Sequence, residues 1–228
     1  YIFRTASNTT IEGRQAAEII AKWTDVKKVA TIAHDYAYGQ DVAKLFAQHI
    51  KKLRPDIEVV DQQWPKLGEG DYTPFVNAQM AKKPDAVFSF FAGGGAVKFV
   101  KDYAAAGLKK SIPLYGTGFL TDGTLEAQGE AAEGVQTTLH YADGLNTPRD
   151  NAFRLAYAKT YKLQPDVYAV QGYDAAQILG SGLAAVKGDV SKKTEFIAAA
   201  RKARIDSPRG AFSLSAAHNP VQDLYLRQ

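Results

Sequence analysis

Apolar positions follow two periods along this chain, and the two take turns. "KVATIAH", Lys28 to His34, is a nearly continuous apolar run and predicts a strand buried on both faces. From Asp41 the positions Val42, Leu45, Phe46, His49, Ile50 and Leu53 keep i, i+3, i+4, i+7 spacing, which predicts an amphipathic helix. Arg54-Pro55 ends it. "IEVVDQQW" predicts the next strand, and "PKLGEGDY" a loop. Thr73-Pro74 sets an N-cap residue before a proline suited to the first helical position. "DAVFSFF" is a third strand, followed by a helix marked by Val97, Val100 and Tyr103 that stops at Gly107. "SIPLYGTG", a short irregular helix from Asp122 to Ala131, and the strand "GVQTTLHYA" follow. Ahead of all of these, Thr9 and Glu12 form a capping-box signature that opens a helix running to about Trp23.

A strand–helix unit repeated four times with short connections implies an α/β fold: a Rossmann-like parallel sheet with helices on both faces. After Asp143 the pattern changes. Three helices are expected in succession, from Thr147, from Asp166 and from Ser191, with no strand between them. "SPRGAFSLS" and "VQDLYLRQ" close the chain as two short strands. Three helices cannot complete a second sheet, so they read as cover for a sheet that this chain mostly lacks.

Composition excludes more than it selects. The chain has 228 residues, 46% hydrophobic and 23% charged, as soluble globular proteins do. No apolar run reaches the roughly 18 residues of a membrane span. The net charge is +4, and lysines occur in scattered pairs such as Lys51-Lys52 and Lys109-Lys110 rather than in a stripe. A solvated surface accounts for them, and nucleic acid is not an expected partner. Without cysteine there is no disulfide framework, thiolate metal site or cysteine nucleophile.

Ligands of open α/β sheets bind beyond the carboxyl ends of the strands. Three segments fall there: "AHDYAYGQ" with Asp35, Tyr36 and Tyr38; "FFAGGG" with Phe91, Ala92, Gly93 and Gly94; and "YGTGF" with Gly116, Thr117 and Gly118. Each combines glycine, which bares backbone N–H groups, with aromatic side chains that can wall a pocket. "AGGGAVK" matches neither G-x-G-x-x-G nor G-x-x-x-x-G-K-[ST], which argues against a nucleotide phosphate. A tight turn with no ligand remains open. Catalysis lacks a constellation: there is no G-x-S-x-G or H-E-x-x-H, and the four histidines are far apart in sequence. His34 ends a strand beside Asp35, where it could donate to a ligand; for acid–base chemistry Asp35, Asp71, Asp122 and Glu126 read more simply as caps or solvated groups. No enzyme activity, cofactor or metal is expected.

"YIFRTAS", "HDYAYGQ", "PDAVFSFFAGGG", "IPLYGTG", "AAEGV" and "YAVQGYDAAQIL", in that order, resemble periplasmic solute-binding proteins of ABC importers, of the branched-chain amino-acid type. The resemblance implies a type I fold, with one complete lobe and part of the other. Residues 1–8 would form the first crossover, 9–141 lobe two, and 142–146 the second crossover. Residues 147–206 would be helices returning to lobe one, and 207–228 the third crossover with the closing strands. The chain is then expected to be a fragment or trimmed product lacking the first half of lobe one. The function implied is capture of a small solute between lobes by hinge closure, for delivery to a membrane permease. Such a protein would be a monomer, periplasmic or else extracytoplasmic with a lipid anchor in its parent form, and not itself inserted in the membrane. A sensory ligand-binding domain and a nucleotide-binding α/β enzyme are the alternatives.

Carried over by position, Tyr38 matches the tyrosine of the family's pocket-lining "YG" motif. Ala92 to Gly94 replace an aromatic contact, so the pocket is expected to be wider or walled by Phe91. Gly116 to Gly118 fall where the amino-acid binders place a glutamate for the ligand's ammonium. No acid stands there, which favours a carboxylate-type solute, an aromatic or aliphatic acid or an amide, over an amino acid.

Overall fold

The computed structural model describes residues 2–228, so Tyr1 of the expected first crossover lies outside the described residues. The chain divides into two compact units and passes between them after Ser7, Leu139 and Tyr225.

The larger unit, residues 8–139 and 226–228, is built on a parallel sheet. Its strands are β1 (Lys28–Ala33), β2 (Glu58–Gln63), β3 (Ala86–Phe90), β4 (Leu114–Thr117) and β5 (Gln136–Leu139). They lie in the order β2-β1-β3-β4-β5, with β8 (Tyr225–Arg227) at the far edge. All four pairings among β1 to β5 are parallel. Every residue of β3 is buried, and β1 exposes only Lys28, as strands covered on both faces should. Helices α1 (Thr9–Ile20) and α2 (Ala37–Leu53) pack Ala17, Ile20, Phe46 and Ile50 on one face against Phe88 and Phe90. On the other face lies a core shared by Val76 of α3 (Thr73–Met80) and Phe99 and Tyr103 of α4 (Gly93–Ala105), and the short α5 (Leu125–Gln128) follows β4 in the chain. The chain leaves β1 toward β2, then returns past β1 to β3. The carboxyl ends of β1 and β3 therefore form the topological switch point of the sheet.

The smaller unit holds α6 (Pro148–Tyr161), α7 (Val167–Ala185) and α8 (Lys193–Arg201), with a hairpin of β6 (Phe212–Leu214) and β7 (Pro220–Gln222). The helix starts follow the sequence: Thr147 accepts from the N–H of Asp150, and Asp166 from that of Ala169. Leu155, Tyr161, Tyr168 and Leu179 are exposed on α6 and α7. At the centre Arg209 and Asp174 form a fully buried ion pair at 2.8 Å. Asp174 also accepts from Ser207 Oγ at 2.7 Å. Arg209 Nη1 donates to Thr5 O at 2.8 Å and to Gln222 Oε1 at 2.7 Å, so one guanidinium joins distant segments of this unit.

His140 is also fully buried there, and its Nε2 lies 3.1 Å from the amide nitrogen of Gln171. Burial first, and the charge of Arg209 second, push its imidazole down to about 3. The unfolded chain, with an ordinary histidine, then binds the proton that the folded protein refuses. Stability is lost as pH falls below about 6.5, at about 1–2 kcal/mol between pH 7 and pH 5 from this group. Urea unfolding at the two pH values should show the loss, and His140→Gln should remove it. Equal slopes in the two proteins would assign the acid sensitivity elsewhere.

Several boundaries differ from the sequence pattern. Asn8, not Thr9, caps α1, accepting from the N–H of Ile11. Helix α2 starts at Ala37 rather than Asp41, so Tyr38 and Gly39 belong to its first turn. The glycines 93–95 are the first turn of α4 and not a loop ahead of it. The chain closes with three short strands rather than two, because the last joins the main sheet.

Candidate ligand site

Two helix N-termini meet at the switch point. After β1, the N–H of His34 continues the ladder to Phe90 O at 3.2 Å, and the N–H of Asp35 turns to Pro65 O at 2.8 Å. Tyr36 is the N-cap of α2, with extended backbone. After β3, Ala92 is the N-cap of α4, also extended. Among the described residues neither helix has a capping side chain, unlike α1, α6 and α7. Their first-turn N–H groups keep the partial positive charge that caps elsewhere neutralise.

Asp35, Tyr36, Ala37, Gly93 and Gly94 are exposed here. A β-carbon at Gly93 or Gly94 would meet nothing within 4 Å, so this backbone is open to an approaching molecule. Gly93 also has φ +57°, a conformation that costs other residues about 1 kcal/mol or more. The Asp35 carboxylate accepts from Gln40 Nε2 at 2.7 Å, which ties it to α2.

An aromatic group backs this lip. The Tyr38 ring lies 5.0 Å from Phe90, Tyr36 lies 6.0 Å from Phe90, and Phe119 stands edge-on to Phe90 at 6.4 Å. Burial, reinforced by the charge of Glu12, raises the Tyr36 hydroxyl above its usual value. Glu12 itself is 4% exposed, so an acid of α1 stands within electrostatic reach of the lip.

The predicted residues thus separate. Asp35, Tyr36, Tyr38, Ala92, Gly93 and Gly94 come together at the ends of neighbouring strands. Phe91 does not join them as a wall. It is fully buried, stacked on Phe99 at 4.3 Å and edge-on to His34 at 4.6 Å. Gly116 and Gly118 are buried rather than bared. A β-carbon at either would stand 2.4 Å from Leu120 or Leu139 respectively, so these glycines make room for leucines. Thr117 is 1% exposed, and its hydroxyl has no hydrogen-bond partner among the described residues. Phe90, Phe119 and Glu12 were missed. Phe90 and Phe119 lie within "FFAGGG" and "YGTGF" but are not among the residues named there, whereas Glu12 carries only a capping signal.

A cavity of about 590 Å³ on the same unit, lined by Thr121, Leu125, Thr137, Arg227 and Gln228 among others, shares none of the predicted residues. Among the described residues no three His, Asp or Glu side chains gather as a metal site, and no helix is long and apolar enough to cross a membrane.

Known proteins share this plan. A solute binding protein of an ABC transporter from R. palustris, in complex with benzoate, is 43% identical with a TM-score of 0.93; the match covers 99% of this chain and 61% of that one. A solute binding protein from Rhodopseudomonas palustris BisB5, in complex with 3,4-dihydroxy benzoic acid, is 32% identical with a TM-score of 0.89, covering 100% and 62%. A Leu/Ile/Val-binding protein homolog 6 from Brucella melitensis is 31% identical over 239 residues, and the chain spans 59% of its length. These relatives are solute-binding proteins, not enzymes. The family model described as periplasmic binding protein matches residues 1–228, and the chain belongs to that family.

Proposed function

We propose that the protein is the solute-binding component of an ABC importer and that it captures a small carboxylate, an aromatic acid foremost, at the lip between α2 and α4. The observation that carries this is the pair of uncapped helix starts beside the Tyr36, Tyr38 and Phe90 rings. The free amides favour an anion, and the rings favour an aromatic body. The benzoate complex of a 43% identical relative supports the same solute class. Asp35 holds the start of α2 through Gln40.

The two compact units would be parts of the two lobes. Hinge closure would desolvate the solute and so strengthen each polar contact with it. The protein would work in the periplasm as a monomer and hand its solute to a membrane permease. A second reading, an α-amino acid, is favoured by the negative charge of Glu12, which reaches the Tyr36 hydroxyl at the lip and would favour an ammonium group there.

Isothermal titration of the complete protein separates these. Benzoate and hydroxybenzoates are expected to bind, and nucleotides are not. Tight leucine binding with no response to benzoate-type acids would overturn the carboxylate reading in favour of the second. A response to nucleotides alone would reopen an enzyme. Tyr38→Ala is expected to weaken the bound acid about tenfold, the equivalent of about 1.4 kcal/mol for one aromatic wall.

A further inference from the structure

We propose that His34 is the positioning residue of this lip, setting the starts of both α2 and α4 against the solute; the proposal rests on the carboxylate reading above. His34 is 4% exposed and sits below the lip rather than in it. Its main chain serves α2. Its carbonyl accepts the N–H of Tyr36 at 2.9 Å, and a β-carbon at Gly39 would stand only 2.2 Å from that same oxygen. The first turn of α2 therefore rests directly on His34. Its ring serves α4. A β-carbon at Gly95 would stand 2.5 Å from His34 Cε1 and 2.6 Å from Nε2, so the first turn of α4 rests on the imidazole.

The ring is itself held. Nε2 lies 3.0 Å from the Tyr72 hydroxyl, and Phe91 stands edge-on at 4.6 Å. Tyr72 is fixed at its other end, where its N–H donates to Asp102 Oδ2 at 2.9 Å. Asp102 belongs to α4, so α4 is tied to the histidine at its start and to Tyr72 further along. Burial keeps the imidazole below its ordinary value, so it is uncharged at neutral pH. An uncharged ring can sit under two positive helix ends without opposing them.

Glycine at 39 and 95 and histidine at 34 are thus parts of one support. A change at any of them moves the amides without removing one. Amides that face an anion lose strength steeply once misplaced.

The test is the affinity of the complete protein for benzoate, measured well below the melting temperature of each variant. Tyr72→Phe keeps the buried ring and removes only its bond to His34; it should fold and bind a few-fold more weakly. His34→Leu should weaken binding about tenfold or more, as loss of one hydrogen bond to a charged group would. His34→Gln, which can place an amide near the Tyr72 hydroxyl, should recover most of that. Gly95→Ala should weaken binding by a similar factor. Combined with His34→Ala, which vacates the space, it should do no further harm, where independent effects would multiply to about a hundredfold. Variants that melt lower yet bind benzoate as the unmodified protein does would make His34 a packing residue only and overturn the proposal. Multiplicative losses in the double variant would do the same. An unmodified protein that binds no carboxylate overturns the carboxylate reading itself, before any variant is compared.

Discussion

Arg209→Ala should destabilise the smaller unit by about 3–5 kcal/mol, measured by urea unfolding at pH 7, because it strands the Asp174 carboxylate in the interior. Both side chains are fully buried at 2.8 Å. Burial pushes Asp174 up from its usual carboxylate value, and Arg209 pulls the other way. Removing the cation removes that pull and leaves the hydrogen bond from Ser207, a longer one from Gln177 Nε2 at 3.4 Å and the weaker pull of Arg149. The same change abandons two acceptors, Thr5 O and Gln222 Oε1, each held by Arg209 Nη1. The double variant Arg209→Met with Asp174→Leu is expected to recover most of the loss, since a buried pair can often be exchanged for apolar groups of similar volume. A single-variant loss below about 1 kcal/mol would mean that the pair behaves like an exposed one. A double variant as unstable as the single would place the cost in Thr5 and Gln222 rather than in the charge.

This pair shows where sequence reading stops. Nothing in "SPRGAFSLS" marks Arg209 as a buried cation, because its partners Thr5 and Asp174 are remote in sequence and only the fold joins them. The sheet was legible for the opposite reason. A strand buried on both faces must be apolar along its length, so "KVATIA" and "AVFSF" announce themselves locally. The amphipathic α2 was equally plain, but its start was not. Tyr36 caps it without a capping side chain, so the usual signal was missing there. The same missing signal at Ala92 made the start of α4 resemble a loop. At both places the local rule failed at the very residues proposed to meet the solute. The glycines teach a further distinction. Gly93 and Gly94 open onto empty space, while Gly116 and Gly118 yield their space to leucines, and composition alone cannot tell an opened backbone from a filled one.

Phe91 decides whether the wall of the site was placed correctly, and its two possible roles predict opposite measurements. As a solute wall it could be shortened with little change in stability and a large loss of affinity. As a core residue it should behave the other way. It is fully buried among Phe99, Tyr72 and His34, with ring separations of 4.3, 5.1 and 4.6 Å. Phe91→Ala should therefore cost about 3–5 kcal/mol, through lost transfer energy and the cavity left behind. Phe91→Leu, closer in volume, should cost less than about 1.5 kcal/mol and keep benzoate affinity within about threefold. Since Phe91 also braces the His34 ring, the alanine variant should weaken binding indirectly, whereas the leucine variant separates bracing from contact. A leucine variant of near-normal stability that binds tenfold more weakly would bring Phe91 into the site. It would then mean that β3 presents its end to the solute with Phe91 turned outward, and the open glycines 93 and 94 would mark only the rim of a deeper pocket.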